Sequence, residues 1–514
     1  MPGEHHIMRS LPHLAIALSL ALASGCTKHN PASCSEGACT DTALPFCDVD
    51  GTLEGLPNQC VAVACIPNAF AACRADSAIT CNDTGTNYDL LACPLGCDDA
   101  TGGCKQCEPN ETACTNGNVV SCDAAGNVTT SVACPLGCFE DEPRCREVVP
   151  SNGLGVYADM VANPPDVDVT GYSFNTGDGT LSTSTGNVEV PSFLISTATP
   201  PVRVFVVHSL HLRGVGDAYS TLDPERLTGP AIAIVASGDV TIEGRFTIAG
   251  TAGGVPAVTC GAGRGFDRGT QADSTSLFSA SGGGGNATRG GAGGGVMGTV
   301  DGPGPTPPAG GRAIGNDGIV PLMGGCASGQ FQDLIATSSP PPPFGGGPGG
   351  GALQVTSKTD LSLDGVIDVR GFTGETMQTY DGSTTFGGGA GGSVLLEAPH
   401  LTLSGLAKLN AKGGAGGSTC GYPDIGTDDS TPQPAPTCGT MRYATGGAGA
   451  APGVDAAAGH DAIWSQNAGT PLFTGGGGGG GLGRLRFNTR DGNYVKSSAA
   501  LEVGVLTVGT LSTR

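Results

Sequence analysis

The chain is poor in aromatic residues (5%) and in charged residues (14%), and it carries one tryptophan. Beyond residue 22 no apolar pattern of period 3.6 is sustained, which excludes helical bundles. The strand–helix alternation of Rossmann or TIM-barrel enzymes is missing. Basic residues are scarce: 24 Lys and Arg stand against 46 Asp and Glu, a net charge of −22. Phosphate contacts need a basic surface, so nucleic acid is excluded as a partner. The acidic residues are dispersed, as on a solvated surface. There is no Gly-x-Ser-x-Gly elbow, His-Glu-x-x-His pair, Walker loop or repeated calcium-binding nonapeptide. Runs such as Gly291-Ala292-Gly293-Gly294-Gly295 mimic a dinucleotide fingerprint but follow no strand-then-helix pattern. No catalytic residue, cofactor-binding residue or metal ligand is assigned, and the reading leans away from an enzyme.

What is present begins at the N-terminus. Met8-Arg9 precedes an apolar run from Leu11 to Leu22, and Ala23-Ser24-Gly25-Cys26 follows it. A basic start, a short apolar stretch and small residues at the end make a secretory signal, 1–25. The run falls short of the ~20 apolar residues that span a bilayer. Ala23-Ser24-Gly25-Cys26 resembles the lipobox of bacterial lipoproteins, with Ala23 where leucine is commonest. The resemblance implies that Cys26 is lipidated and becomes the first mature residue, with the membrane as partner through that anchor. Thr27 is not the aspartate that retains enterobacterial lipoproteins in the inner membrane, which leans toward the outer membrane or cell surface.

Of 21 cysteines, sixteen lie between Cys34 and Cys145. Two copies of one pattern stand out: Cys65, Cys73, Cys81, Cys93, Cys97, Cys104, and Cys107, Cys114, Cys122, Cys134, Cys138, Cys145. Ala92-Cys93-Pro94-Leu95-Gly96-Cys97 recurs as Ala133-Cys134-Pro135-Leu136-Gly137-Cys138. A degenerate copy, Cys34, Cys39, Cys47 and Cys60, precedes them. The units 34–60, 65–104 and 107–145 are too small for a hydrophobic core to suffice. Even cysteine counts behind an export signal read as disulfides, with the pairing open. Zinc is disfavoured because no histidine lies among these cysteines. The spacing Cys104-x-x-Cys107 suits a redox pair, but it straddles two repeats and reads as two structural half-cystines. Such units resemble the cysteine-rich stalks of predicted myxobacterial surface lipoproteins; the likeness covers 26–145 and implies surface location without an activity.

Beyond a linker with first strands (151–200), the region 201–514 repeats a coil of three short strands. One copy is Ile232-Ala233-Ile234, Val240 to Glu243, then Gly244 and Phe246-Thr247-Ile248. Others start at Val202, Leu353, Val394 and Arg484. Glycine bends the chain between the second and third strands. A single coil cannot bury its apolar face, whereas stacked coils can. The expected fold is mostly β: a right-handed parallel β-helix-like, glycine-rich domain behind small disulfide-rich repeats. A β-sandwich with long loops is the alternative. Two insertions, 252–350 and 412–480, are rich in Gly and Pro. They read either as flexible loops or as extended polyglycine helices packed on the flank. Pairing Cys260 with Cys326 and Cys420 with Cys438 staples one insertion each. Trp464 is expected to be buried in a loop.

Stacking in register places three columns on the outside of the middle strands. They are Ser209, Asp239, Asp360, His400; His211, Thr241, Ser362, Thr402; and Arg213, Glu243, Asp364, Ser404. Asp239, Glu243, Asp360 and Asp364 thereby share one face. Clustered carboxylates suit Ca²⁺ or a sugar, and paired ones suit general acid–base chemistry on polysaccharide. The plainer reading is a solvated face with Arg213–Glu243 and Asp368–Lys408 ion pairs.

The expected protein is therefore exported and lipid-anchored in the cell envelope, with a structural or adhesive, noncatalytic role. Polysaccharide and envelope components are its expected partners; a β-helix polysaccharide lyase or hydrolase is the competing class. Cys26→Ala should move the protein from the membrane to the soluble fraction on cell fractionation; retention on membranes would refute the lipid anchor.

Overall fold

The computed structural model describes residues 33–34, 39–49, 51, 53, 56–63, 65–98, 103–221, 229–255, 280–297, 307–329, 346–379, 382–418, 445–463 and 475–514. The signal, Cys26, Cys260, Cys420, Cys438 and Trp464 lie outside them. The fold is mostly β with almost no helix. Among the described residues no helix is long and apolar enough to cross a membrane. The chain divides into two compact units, 1–132 with 140–143, and 133–139 with 144–514.

The first unit is held by disulfides around small antiparallel sheets. In one repeat the strands Phe70–Arg74, Ser77–Cys81 and Tyr88–Ala92 pair in sequence order. Cys65–Cys81, Cys73–Cys97 and Cys93–Cys104 close it, joining first to third, second to fifth and fourth to sixth cysteine. In the next copy Cys107–Cys122 and Cys134–Cys145 repeat two of these links, and Cys114 and Cys138 are both half-cystines. Cys104 and Cys107 belong to different bonds, so no redox pair forms. Asn116 and Gly117 both have positive φ, the two-residue turn that lets Thr112–Thr115 fold back on Asn118–Cys122. The degenerate copy closes with Cys34–Cys47 and Cys39–Cys60.

In the second unit the chain alternates between two sheets. One contains Val202–Val207, Ala231–Ala236, Ala352–Ser357, Ser393–Glu397, Arg484–Thr489 and Val505–Thr510, all parallel. The other contains Val167–Asn175, Leu210–Tyr219, Val240–Ile248 and Asp360–Asp368, also parallel, then His400–Leu403 with Lys408–Asn410. Neither sheet closes on itself. The expected second and third strands of each coil are largely one continuous strand. Gly244 (φ +94°) bends it; pairing with Asp360–Asp368 runs through the bend while pairing with Leu210–Tyr219 skips two residues, and a Cβ there would lie 2.0 Å from the Gly214 carbonyl oxygen. The sheet also starts one coil earlier than the repeat pattern suggests, at Val167.

Alternation explains the core. Leu210, Leu212, Val240, Ile242, Leu361 and Leu363 point inward against Phe205, Ile232, Ile234, Leu353 and Val355 of the facing sheet. The facing sheet is buried on both sides, its back apolar over the first strands and polar around Glu397. Its back, with Val204, Ala233 and Val235, packs on Leu154, Ile319 and Leu322. Glu397 anchors this cover: buried, it accepts from Ser151 N (3.0 Å) and Oγ (2.6 Å), Gln354 Nε2 (2.8 Å), Thr356 Oγ1 (2.8 Å) and Asn488 Nδ2 (2.9 Å).

The described parts of the insertions are an ordered bundle of extended glycine segments. Gly388 and Gly391 donate to Gly478 and Gly481; Gly389 and Gly392 donate to Phe372 and Val369; Ala390 donates to Cys326. The neighbours recur every third residue, the period of the polyproline II conformation, which makes no internal hydrogen bonds. Three other segments donate to 386–392, through Gly284, Gly347 and Gly414. Segment 475–483 is surrounded likewise, donating to 457–460, 411–417 and 281–284 and accepting from Gly291, Gly388 and Gly447. Of the two readings of the insertions, packed polyglycine helices therefore describe these segments. Cys326 is a buried half-cystine within the bundle.

The C-terminus is tied to the start of this unit. Val148–Val149 pairs with Ser512–Thr513, Lys358 Nζ donates to Glu147 (2.9 Å) and Arg514 to Asp159 (2.6 Å). The Lys358 bond holds the Glu147 carboxyl below its ordinary pKa, and the Arg514 bond does the same for Asp159.

Two tests follow from this packing. A Cβ on Gly391 would meet the Ala411 carbonyl at 1.8 Å, whereas one on Gly405 finds nothing nearer than 3.5 Å. Gly391→Ala should cost about 3 kcal/mol in urea unfolding, and Gly405→Ala within about 0.5 kcal/mol of nothing. Equal effects would refute the close packing. The depressed carboxylates add stability that is complete above the unfolded-chain value, about pH 4, and disappears as pH falls through the lower folded-state values. Lys358→Met should flatten that acid limb in urea midpoints measured from pH 6 to pH 3; an unchanged slope would remove Glu147 from the account.

Candidate functional site

Among the described residues the outer face of the sheet that begins at Val167 has no covering layer comparable to that on its partner, and every second side chain of its strands points outward. The register aligns His211 with Thr241, Thr241 with Ser362, and Ser362 with Thr402. It also aligns Asp360 with His400 and Glu243 with Asp364. Ser209 donates its hydroxyl to Asp166.

Each of the four expected carboxylates already has a partner. Asp239 accepts from Thr359 Oγ1 and from the Asp360 amide (3.3 Å). Asp360 meets His400 Nδ1 at 2.8 Å, with both side chains at least 60% exposed. Glu243 lies 3.2 Å from His211 Nε2, and Asp364 accepts from Ser404. Arg213 pairs with Asp168, one strand back, so the expected Arg213–Glu243 pair is replaced. Asp239 and Glu243 stand four residues apart on one strand, roughly 13 Å. Two neighbouring pairs result, not one convergent cage. Among the described residues the one group of three metal-type ligand atoms within 4.8 Å is Cys34, Cys39 and Cys47. Those sulfurs are committed to disulfides.

No family model matches this chain, and no curated protein or solved structure matches it either.

A charge cluster outside the expected columns is more tightly built. Asp368 is buried and faces two guanidinium groups: Arg245 Nη2, and Arg370 Nε (3.1 Å) with Nη2 (2.7 Å). Both arginines are charge partners of Asp368. Arg245 stands beside Val366 on the neighbouring strand, and Thr247 beside Asp368. The spacing Asp368-x-Arg370 was the available sequence signal, and the cross-strand Arg245 needed the register. The group borders a cleft of about 200 Å³ that also includes Thr247, Ile248, Phe372 and Thr373. A larger, open cleft of about 560 Å³ lies over Tyr172, Ser182, Thr183 and Asp217. Neither cleft is lined by Asp239, Asp360 or His400.

Removing the buried partner separates the two environments. Asp368→Ala leaves two guanidinium groups uncompensated and should cost about 3–5 kcal/mol. Asp239→Ala, on the solvated face, should cost within about 1 kcal/mol. Urea unfolding of both variants checks this; equal losses would contradict the assignment of Asp368 as the buried anchor.

Proposed function

We propose that this protein is an exported, lipid-anchored component of the bacterial cell envelope with a structural or adhesive, noncatalytic role. In this reading its glycine-rich region is a right-handed parallel β-helix-like solenoid. Two parallel sheets visited alternately, in register, support that architecture. The disulfide repeats lie in sequence between the anchor at Cys26 and the solenoid, and polysaccharide or envelope components are the partners.

The observation that carries the noncatalytic reading is the outward face itself. Asp239, Glu243, Asp360 and Asp364 on it are individually paired, and none of these four lines the clefts described above. General acid–base catalysis needs groups that converge on one reacting bond. An extended ladder of polar side chains suits repeated weak contacts along a polymer.

A glycan-array screen of the purified protein, with and without Ca²⁺, followed by a depolymerisation assay on each hit, tests this. Binding without cleavage is expected. Cleavage that disappears in Asp239→Ala or Asp360→Ala would replace this reading with a polysaccharide lyase or hydrolase.

A further inference from the structure

We propose that the cleft beside Asp368 binds one uronate unit of an acidic polysaccharide. Its carboxylate would sit on the free edges of Arg245 and Arg370, and its ring on Phe372. This rests on the polysaccharide-binding reading above and names the ligand class and the residues.

The first argument is charge. Two guanidinium groups share one buried carboxylate, so the cluster keeps a net positive charge in a chain of net charge −22. Among the described residues Asp368 takes Arg245 Nη2 and Arg370 Nε and Nη2, and no acceptor takes Arg370 Nη1 or the remaining Arg245 donors. A planar guanidinium fork suits a planar carboxylate.

The second argument is rigidity. Asp368 pins both arginines, and the Phe372 backbone is locked in the glycine bundle, donating to Pro348 and accepting from Gly389. Its ring is nonetheless 45% exposed and lines the cleft. Holding the contact groups beforehand lowers the cost of binding. An exposed ring beside a cation offers an apolar platform for the C–H face of a sugar. Thr247 and Thr373 add hydroxyls at the edge.

The third argument is size. About 200 Å³ is below the ~300–1,000 Å³ of sites for drug-sized ligands, so one ring enters while the polymer continues outside.

The test uses polygalacturonate and alginate, with fully methyl-esterified polygalacturonate as the uncharged control, in titration calorimetry on the purified protein. The acidic polymers should bind and the ester should not. Arg245→Gln leaves Asp368 paired with Arg370, and Phe372→Ala alters no buried charge. Each should weaken binding by at least about tenfold while still unfolding in one cooperative urea transition, with Phe372→Ala the variant that leaves the buried charges intact. Arg312→Gln, exposed and outside both the cleft and the strands of the outer face, controls for the loss of one positive charge and should bind as wild type. Equal binding of acid and ester, or unchanged affinity in both cleft variants, would overturn the cleft proposal. Failure of both acidic polymers to bind would overturn it too. Binding of neutral glycans in the array, unaffected by the cleft variants, would keep the adhesive reading while removing this one.

Discussion

Backbone amides buried without side chains around them must find partners in other backbone, because an unpaired buried N–H or C=O costs about as much as a lost hydrogen bond. In the glycine bundle that requirement is met in three directions at once. Segment 386–392 donates in turn to 475–483, to 369–375 and to Cys326, and three other segments donate to it. The approach leaves no room for Cβ atoms, as the 1.9 Å from a Cβ on Gly480 to the Gly389 oxygen shows. Where other residues enter, they replace lattice bonds with their own. Asn286 donates to the Gly391 oxygen (2.7 Å), and Ser281 Oγ accepts from Gly387 N (2.7 Å).

The bundle and the two sheets are continuous in the chain. The glycine segments 346–351, 386–392 and 475–483 each lead directly into a strand of the covered sheet. The segments 369–375 and 411–418 each follow a strand of the open sheet. Hydrophobic burial between the sheets and backbone pairing in the bundle thus act on the same coils. A glycine-rich chain pays heavily in conformational entropy on ordering. The bundle offsets that cost with backbone hydrogen bonds from many of its buried glycine amides. Glu397 performs a related task on the other flank, satisfying the first turn after Pro150 so that Leu154 can cover the apolar back of its sheet.

Much of the architecture is legible in the residues. Repeated cysteine spacing identified the disulfide units, because such small units need cross-links. Period-two runs ending in glycine identified the coils and aligned Thr241, Ser362 and Thr402 as the ladder does. Three things escaped. The coil at Val167 has a Thr-Gly-Tyr centre unlike the later copies, so the pattern did not register it. The bend at Gly244 reads as a corner, but the strand continues through it because Gly214 and Gly244 stack closely. The Asp368 cluster joins Arg245 and Arg370 across more than a hundred residues, a contact that spacing along one strand does not reveal.

The sequence alone determined the β-rich class, the disulfide repeats, the coil period and which strand positions alternate in and out, since these follow from local side-chain periodicity and cysteine count. Tertiary structure decided the disulfide pairing, the direction of each ion pair and which neighbours surround each glycine segment. Those depend on which segments meet in space. A run of glycines carries no side-chain pattern to say which neighbour it will face, and only the complete set of backbone partners settles it.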